Sequence, residues 1–318
     1  MSRYLVTGCA GFIGSSLASA LTERGDDVVG IDSFTEYYGR VLKEDNLRDI
    51  DSRRFTLVEA DIADLELAEL AELAESVDGV FHLAAQPGVR SSWGTCFDRY
   101  VRDNVLVTQR IFEAATVAGR RVVWASSSSV YGNAAAYPTP EDAQPQPISP
   151  YGVTKLTCEQ LARAYRQNAG LDAVALRYFT VYGPRQRPDM AFTRILRALA
   201  SGAAFSLYGT GEQTRDVTYA DDAVAATLLA MEAAPAGRVY NIGGGNETSL
   251  SEAIGLLEEL AERRLLIEHA SAGRGDAQRT AADTTRARTE LGWQPATELA
   301  EGLRAQLRWA AGTVEPAL

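Results

Sequence analysis

Hydrophobic and polar positions fall into two rhythms over the first half of the chain. Short apolar runs read as buried strands: Tyr4 to Thr7, Asp27 to Ile31, Phe55 to Glu59, Gly79 to Leu83 and Arg121 to Ala125. From Phe12 to Arg24 the apolar residues recur at helical spacing, and helical sequence precedes each later strand. Strands alternating with helices predict an α/β fold built on a doubly wound parallel sheet. Such a sheet binds ligands beyond the carboxyl ends of its strands. The unusual residues gather there: Gly8, Asp32, Asp61, Ala84 to Gln86 and Ser126 to Ser129. After Thr180 the rhythm loosens. Pro184 and Pro188 interrupt the chain, short segments follow, and an amphipathic helix is predicted from Leu250 to Arg263. This divides the chain into a nucleotide-binding domain, residues 1–180, and a smaller α/β lobe, residues 181–318. The stretch 217–245 is expected to return to the first domain.

Composition narrows the classes of partner. The 318 residues are 46% hydrophobic, enough for a sizeable core, and carry a net charge of −11. An acidic surface argues against nucleic acid or an anionic membrane as the main partner. A small anion remains compatible, because local arginines and helix N-termini can hold one. Cys9, Cys96 and Cys158 are far apart and odd in number, which points to a reducing, cytoplasmic setting. The opening MSRYLVTG has no signal-peptide pattern. The longest apolar runs, such as Ala223 to Met231, are far below the about 18 residues of a membrane span. Two histidines and three scattered cysteines argue against a metal site.

Gly8, Gly11 and Gly14 form G-x-x-G-x-x-G between the first strand and the first helix. Glycines there let the backbone turn and approach a pyrophosphate, which the helix N-terminus stabilises. Asp32 ends the second strand, where a carboxylate accepts hydrogen bonds from ribose hydroxyls and repels a 2′-phosphate. NAD is therefore expected rather than NADP. Asp61 and Ile62, after the third strand, are expected at the adenine.

Tyr151 and Lys155 lie four apart in SPYGVTKLTCEQLARAYRQ, a strongly helical stretch. Positions i and i+4 share a helix face, so phenol and ammonium can converge on one ligand. A phenol alone is a poor base at neutral pH. A nearby ammonium and a cationic nicotinamide both favour the phenolate, which could then take the proton of a sugar hydroxyl as the carbinol is oxidised. A lone YxxxK is a frequent chance pattern. It gains weight from the nucleotide loop and from Ser126 to Ser129, directly after a strand.

Together these residues resemble the extended short-chain dehydrogenase/reductase family, in particular its nucleotide-sugar epimerases and dehydratases. The resemblance spans nearly the whole chain: TGCAGFIGS from Thr7, HLAAQ at 82–86, SSSSVYG at 126–132, SPYGVTK at 149–155, RYFTVYGPRQRPDM at 177–190, YGTGEQTRDVTYADD at 208–222, NIGGG at 241–245 and LGWQP at 291–295. It implies a Rossmann-like domain holding NAD, a C-terminal lobe for the nucleotide-sugar, and Ser127, Tyr151 and Lys155 as catalytic residues. By the same resemblance the cofactor contacts would include Phe12, Ile13, Ala84, Ala85, Asn104, Ser126, Tyr178 and Val181. Relatives commonly form a homodimer through a four-helix bundle, here from the helices near Val105 to Ala118 and Tyr151 to Asn168.

The residues after Ser127 bear on the reaction. The family's 4,6-dehydratases carry Asp-Glu where this chain has Ser128-Ser129, and its decarboxylases carry a glutamate at Ser129. Serine suits neither acid nor base work, so 4-epimerisation through a transient 4-keto sugar is expected. HLAAQPGVRSSW, FTVYGPRQRPDM and IDSFTEYYGRVLKEDNL look like UDP-glucuronic acid 4-epimerases more than UDP-galactose 4-epimerases. Other epimerases of UDP-hexoses, and an atypical dehydratase or decarboxylase, are the alternatives; a non-catalytic NAD-binding regulator is the remaining one. A carboxylate at carbon 6 would need several donors: Ser127, Ser128, Ser129 and an arginine, Arg187 first, with Arg90 and Arg185 as substitutes. Gln86 and Thr180 are also expected at the sugar. Arg215 matches the family's phosphate-binding arginine, Tyr208 is expected at the uracil, and Asp276 matches the aspartate of an R-x-G-D motif. The arginine of that motif is absent: position 273 is Gly and Arg274 comes one residue late, so either the loop shifts or Arg279 or another residue replaces that contact. His82 reads as a buried strand-end residue rather than a base, and Cys9 as a small filler of the glycine loop.

Overall fold

The computed structural model describes residues 1–271 and 274–313. Its first half alternates β1 (Arg3–Thr7), α1 (Phe12–Glu23), β2 (Asp27–Asp32), α2 (Arg40–Leu47), β3 (Phe55–Glu59), α3 (Leu67–Glu75) and β4 (Gly79–His82). A short helix α4 (Phe97–Tyr100) and one π-helical stretch, Val101–Leu106, lead into α5 (Val107–Ala118), followed by β5 (Arg121–Ser127), α6 (Pro150–Ala169) and β6 (Ala173–Tyr178). Then come β7 (Thr180–Tyr182), α7 (Ala191–Ser201), β8 (Phe205–Tyr208), β9 (Thr214–Tyr219), α8 (Ala220–Ala233) and β10 (Val239–Ile242). The chain closes with β11 (Asn246–Ser249), α9 (Leu250–Ala261), β12 (Ile267–Ala270), α10 (Thr285–Leu291) and α11 (Leu299–Thr313).

Seven strands form one sheet in the order β10-β6-β5-β4-β1-β2-β3, and every pairing in it is parallel. Strand order reverses between β1 and β4, which opens a crevice beyond their carboxyl ends. Side chains alternate faces along each strand, so neighbouring residues enter different cores. Val6, Val28, Phe81 and Val123 pack with Leu17 and Leu21 of α1 and with Ala223 and Ala230 of α8. Leu5, Val29, Val80 and Val122 pack on the other face with Leu70 of α3, Ile111 and Phe112 of α5 and Cys158 of α6. Phe81 is fully buried, and its truncation to Ala would cost about 3–5 kcal/mol. Among the described residues no helix is long and apolar enough to cross a membrane.

A second, smaller body of structure holds a three-stranded sheet, β11-β9-β7, and a parallel pair, β12-β8. Its core gathers Tyr182, Phe192, Ile195, Phe205, Leu207, Leu257 and Leu303. The helix predicted to reach Arg263 stops at Ala261, because Glu262 turns left-handed with φ 54° and its N–H bonds back to the Glu259 carbonyl. Helix α7 begins just beyond the two prolines, a position that the loosened rhythm did not reveal.

Candidate active site

The glycine loop joins β1 to α1. A Cβ at Gly14 would lie 2.1 Å from the Gly8 carbonyl oxygen, so only glycine lets the helix start so close to the turn. Asn46 braces the loop through a 3.0 Å bond to the Ala10 carbonyl. Among the described residues no side chain caps the N-terminus of α1, which leaves its first amides available to an anion. At the end of β2, Asp32 accepts from the Ala10 amide at 3.1 Å and the Phe34 amide at 2.8 Å.

Helix α6 presents the Tyr151–Lys155 pair. Ser149 caps it by accepting from the Gly152 amide at 3.1 Å, and Pro150 opens the first turn. A Cβ at Gly152 would sit 2.5 Å from the Ser129 carbonyl oxygen, so this glycine lets α6 press against the turn that follows β5. Lys155 Nζ donates to the Ala125 carbonyl at 2.8 Å and lies 6.0 Å from the Tyr151 ring centroid. Ser127 Oγ accepts from the Ser129 amide at 3.1 Å, leaving its own O–H free to donate.

One cavity of about 400 Å³ runs along the crevice. Gly8, Gly11, Phe12, Ile13, Gly14, Asp32, Asp61, Ile62, Ala84, Ala85, Gln86, Ser126, Ser127, Tyr151, Lys155, Tyr178, Thr180, Val181 and Arg187 all line it. A second cavity, of about 650 Å³, adjoins it and is lined by Arg90, Thr180, Arg187, Tyr208, Arg215 and Asp276. The two share walls at Tyr37, Gly88, Val89, Thr180, Arg187 and Met190.

Several expected residues stand elsewhere. Asn104 lines neither cavity. It is buried, and its amide bonds the Gln86 backbone at both N and O and the Thr154 hydroxyl, so it supports the Ala85–Gln86 segment from behind. Ser128 and Ser129 form the turn after β5 and are absent from both cavity walls, because the chain leaves the crevice at Ser127. Arg185 also lines neither wall. It has φ 66°, burial lowers its pKa, and its nearby carboxylates are Asp49, Glu23 and Asp221. Arg279 is tied to Glu247 at 2.7 and 2.8 Å and stacks on Tyr137, which removes it as the substitute arginine. Gly273 lies outside the described residues, and Arg274 is exposed.

In place of a local arginine, Arg90 reaches Asp276 at 2.7 Å from the far side of the sequence and lies 4.3 Å above the Tyr208 ring. Arg215 is half-buried, which lowers its pKa, and among the described residues it forms no ion pair; Arg90 adds repulsion to the pull of Asp276. A half-buried cation with only carbonyl partners, Thr214 O at 2.8 Å and Gln278 O at 3.5 Å, suits an anionic ligand.

Sequence reasoning used the loop between β2 and α2 for the family resemblance but assigned no site residue to it. Thr35, Tyr37, Tyr38 and Lys43 line the first cavity. Lys43 Nζ bonds the Thr35 carbonyl at 3.0 Å and lies 3.8 Å from Asp32. The Tyr38 hydroxyl is buried and without a partner among the described residues. Arg194, stacked between Phe205 and Tyr208, and Gln213 were also missed in the second cavity. Their isolated positions carry no spacing signal. His82 is buried between Thr7 and Thr108, at 2.7 and 3.0 Å, and burial with the Lys155 charge lowers its pKa to about 3. A neutral imidazole spent on two hydroxyls is structural. Cys9 is likewise buried, and burial raises its thiol pKa.

Among curated proteins, the chain is 40% identical over 312 residues to the "Uncharacterized UDP-glucose epimerase YtcB" of Bacillus subtilis, covering 96% of this chain and 97% of that one. It is 34% identical to a UDP-glucuronate 4-epimerase of Thermodesulfobacterium geofontis, over 99% of this chain and 98% of the relative. A crystal structure of the UDP-glucuronic acid 4-epimerase of Bacillus cereus, in complex with UDP-glucuronic acid and NAD, superposes with a TM-score of 0.94 at 40% identity, over 98% of this chain and 100% of that one. The model of the NAD dependent epimerase/dehydratase family matches residues 4–243, and with the glycine loop, the Tyr151–Lys155 pair and the two joined cavities in place, the chain belongs to that family.

Proposed function

We propose that this protein is an NAD-dependent isomerase that interconverts UDP-glucuronic acid and UDP-galacturonic acid at carbon 4, through a transient 4-keto sugar. The observation that carries this reading is the shared wall of the two cavities. Arg187 and Thr180 stand there beside the cavity that holds Tyr151, Lys155 and Ser127, and Arg215 lies in the other. The relatives named for UDP-glucuronic acid support it.

The first cavity suits NAD. The uncapped amides of α1, the Asp32 carboxylate and the unpartnered Tyr38 hydroxyl supply donors and acceptors for pyrophosphate and ribose. When bound, NAD takes up and returns the electron pair removed from the sugar carbinol. The protein's own residues do the rest. Tyr151 takes the proton of the 4-hydroxyl and, once the keto sugar has turned its other face to the cofactor, gives it back to the same oxygen. The Lys155 ammonium, fixed by the Ala125 carbonyl, lies 6.0 Å from the centroid of that ring and keeps a positive charge on the tyrosine's side of the site. Ser127 donates its free O–H to the sugar oxygen. Arg187 and Thr180 hold the carboxylate, and neither residue following Ser127 is an acid that would serve an elimination.

The neutral hexose remains a second reading, favoured by the name of the Bacillus subtilis relative. Val101, Leu106, Val117 and Val153 are exposed apolar side chains on or beside α5 and α6, which supports a homodimer through those helices. The scattered cysteines support a cytoplasmic setting. Incubation with UDP-glucuronate, UDP-glucose and UDP-N-acetylglucosamine, with products resolved by NMR, tests the assignment. UDP-galacturonate is the expected product. Turnover of UDP-glucose but not UDP-glucuronate would overturn the substrate, and a pentose or dehydrated sugar would overturn the reaction.

A further inference from the structure

Arg187 does not stand alone in the shared wall. Its Nε and Nη2 donate to Asp189 Oδ1 and Oδ2 at 3.0 and 3.1 Å. Tyr37 Oη donates to the same Asp189 Oδ2 at 3.1 Å. Tyr37 comes from the loop after β2, whereas Arg187 and Asp189 follow β7, so this chain of bonds ties the cofactor side of the crevice to the sugar side. The Arg187 side chain is 20% exposed and that of Asp189 38%.

A guanidinium carries five N–H donors in a fixed plane, arranged as a side fork, Nε with Nη2, and an end fork, Nη1 with Nη2. Asp189 fills the side fork. The end fork is the one left to meet a carboxylate in two parallel bonds. A long arginine side chain otherwise samples many rotamers, and a bidentate partner held from a second loop selects one of them. We infer that Asp189, itself held by Tyr37, is a positioning residue that turns the end fork of Arg187 toward the carbon-6 carboxylate of the substrate. The inference rests on the reading that Arg187 receives that carboxylate.

Asparagine at 189 keeps the size but has one acceptor oxygen and no charge, so it cannot serve Nε, Nη2 and the Tyr37 hydroxyl together. The test measures dissociation constants of UDP-glucuronate and UDP-glucose by calorimetry on the NAD-loaded protein and its Asp189→Asn, Tyr37→Phe and Arg187→Met variants. Asp189→Asn is expected to weaken UDP-glucuronate about tenfold and UDP-glucose less than about twofold, with Tyr37→Phe acting in the same direction and less. Equal weakening of both ligands, no change, or tighter UDP-glucuronate would overturn the inference, the last because Asp189 would then be a competing anion. If Asp189→Asn does not fold, Tyr37→Phe alone decides on the same ratio. If Arg187→Met leaves the ratio of the two constants unchanged, the carboxylate reading of Arg187 itself fails. If it lowers that preference while Asp189→Asn does not, only the positioning role is lost.

Discussion

Lys155 Nζ is fixed to the Ala125 carbonyl at 2.8 Å and stands 6.0 Å from the centroid of the Tyr151 ring. The anchor comes from β5 and the phenol from the first turn of α6, so the spacing of ammonium and phenol is held by the sheet itself. Tyr151→Phe removes the proton acceptor and leaves this frame in place. Turnover should fall by about a hundredfold to ten-thousandfold, with bound NAD retained, as read by NMR of product and absorbance of the cofactor. Activity near that of the unaltered protein would rule out the proposed base.

Asp32 should control cofactor affinity and choice. Its two oxygens accept from the Ala10 and Phe34 amides, and a ribose hydroxyl would add a charge-assisted bond. Asp32→Ala should weaken NAD about ten- to a hundredfold by calorimetry on cofactor-stripped protein. It should also narrow the preference over NADP, since Lys43, 3.8 Å away, would then face a 2′-phosphate without the carboxylate. Unchanged affinity for both cofactors would take Asp32 out of the site.

The difference between Arg187 and Arg185 shows what the sequence could and could not say. Glycine loop, strand-end carboxylate and YxxxK are local spacings, and each was legible because one turn or one helix face sets its geometry. The sequence ranks Arg187 ahead of Arg185 but holds no geometric reason for the order. A left-handed backbone at Arg185 sends one toward Asp49 and Glu23, and the Asp189 pair keeps the other at the cleft. Arg90 and Asp276 meet across 186 residues, a pairing no local pattern records. The family resemblance puts Asn104 at the cofactor; in the fold it is buried, lines neither cavity and braces the Gln86 backbone. The parallel sheet was legible for the opposite reason, since its apolar runs repeat five times before the chain becomes irregular.

The Glu159–Arg177 pair beneath β5 should dominate the stability of the serine turn. Both side chains are about 5% exposed, and the carboxylate takes two arginine bonds, at 2.6 and 2.9 Å, plus the Ser126 hydroxyl at 2.6 Å. Glu159→Ala would strand a buried guanidinium and should cost about 3–5 kcal/mol in denaturant unfolding. Glu159→Gln should cost less, because an amide oxygen still accepts. A loss within about 0.5 kcal/mol, the range of an ordinary surface change, would show that solvent reaches Arg177.

His82 should make the protein acid-sensitive well before the carboxylates titrate. Burial, aided by the Lys155 ammonium, lowers the folded-state value to about 3 from an ordinary 6.5. In the unfolded chain the imidazole binds a proton from about pH 6.5 downward, whereas in the folded protein it stays neutral. The unfolded state therefore carries more protons in that window, and stability falls as the pH drops. The contribution is fully present above pH 6.5 and is lost progressively down to about pH 3. Between pH 7 and pH 5 the loss from this one group should be about 2 kcal/mol. His82→Gln keeps a donor and an acceptor near Thr7 and Thr108 and cannot titrate. The variant will start less stable at pH 7, since its shape fits the pocket less well. Its unfolding free energy should nevertheless decline less steeply to pH 5, by about that same 2 kcal/mol. Parallel pH dependence in the two proteins would mean that the imidazole takes up its proton in the folded state, with Thr7 and Lys155 tolerating the charge.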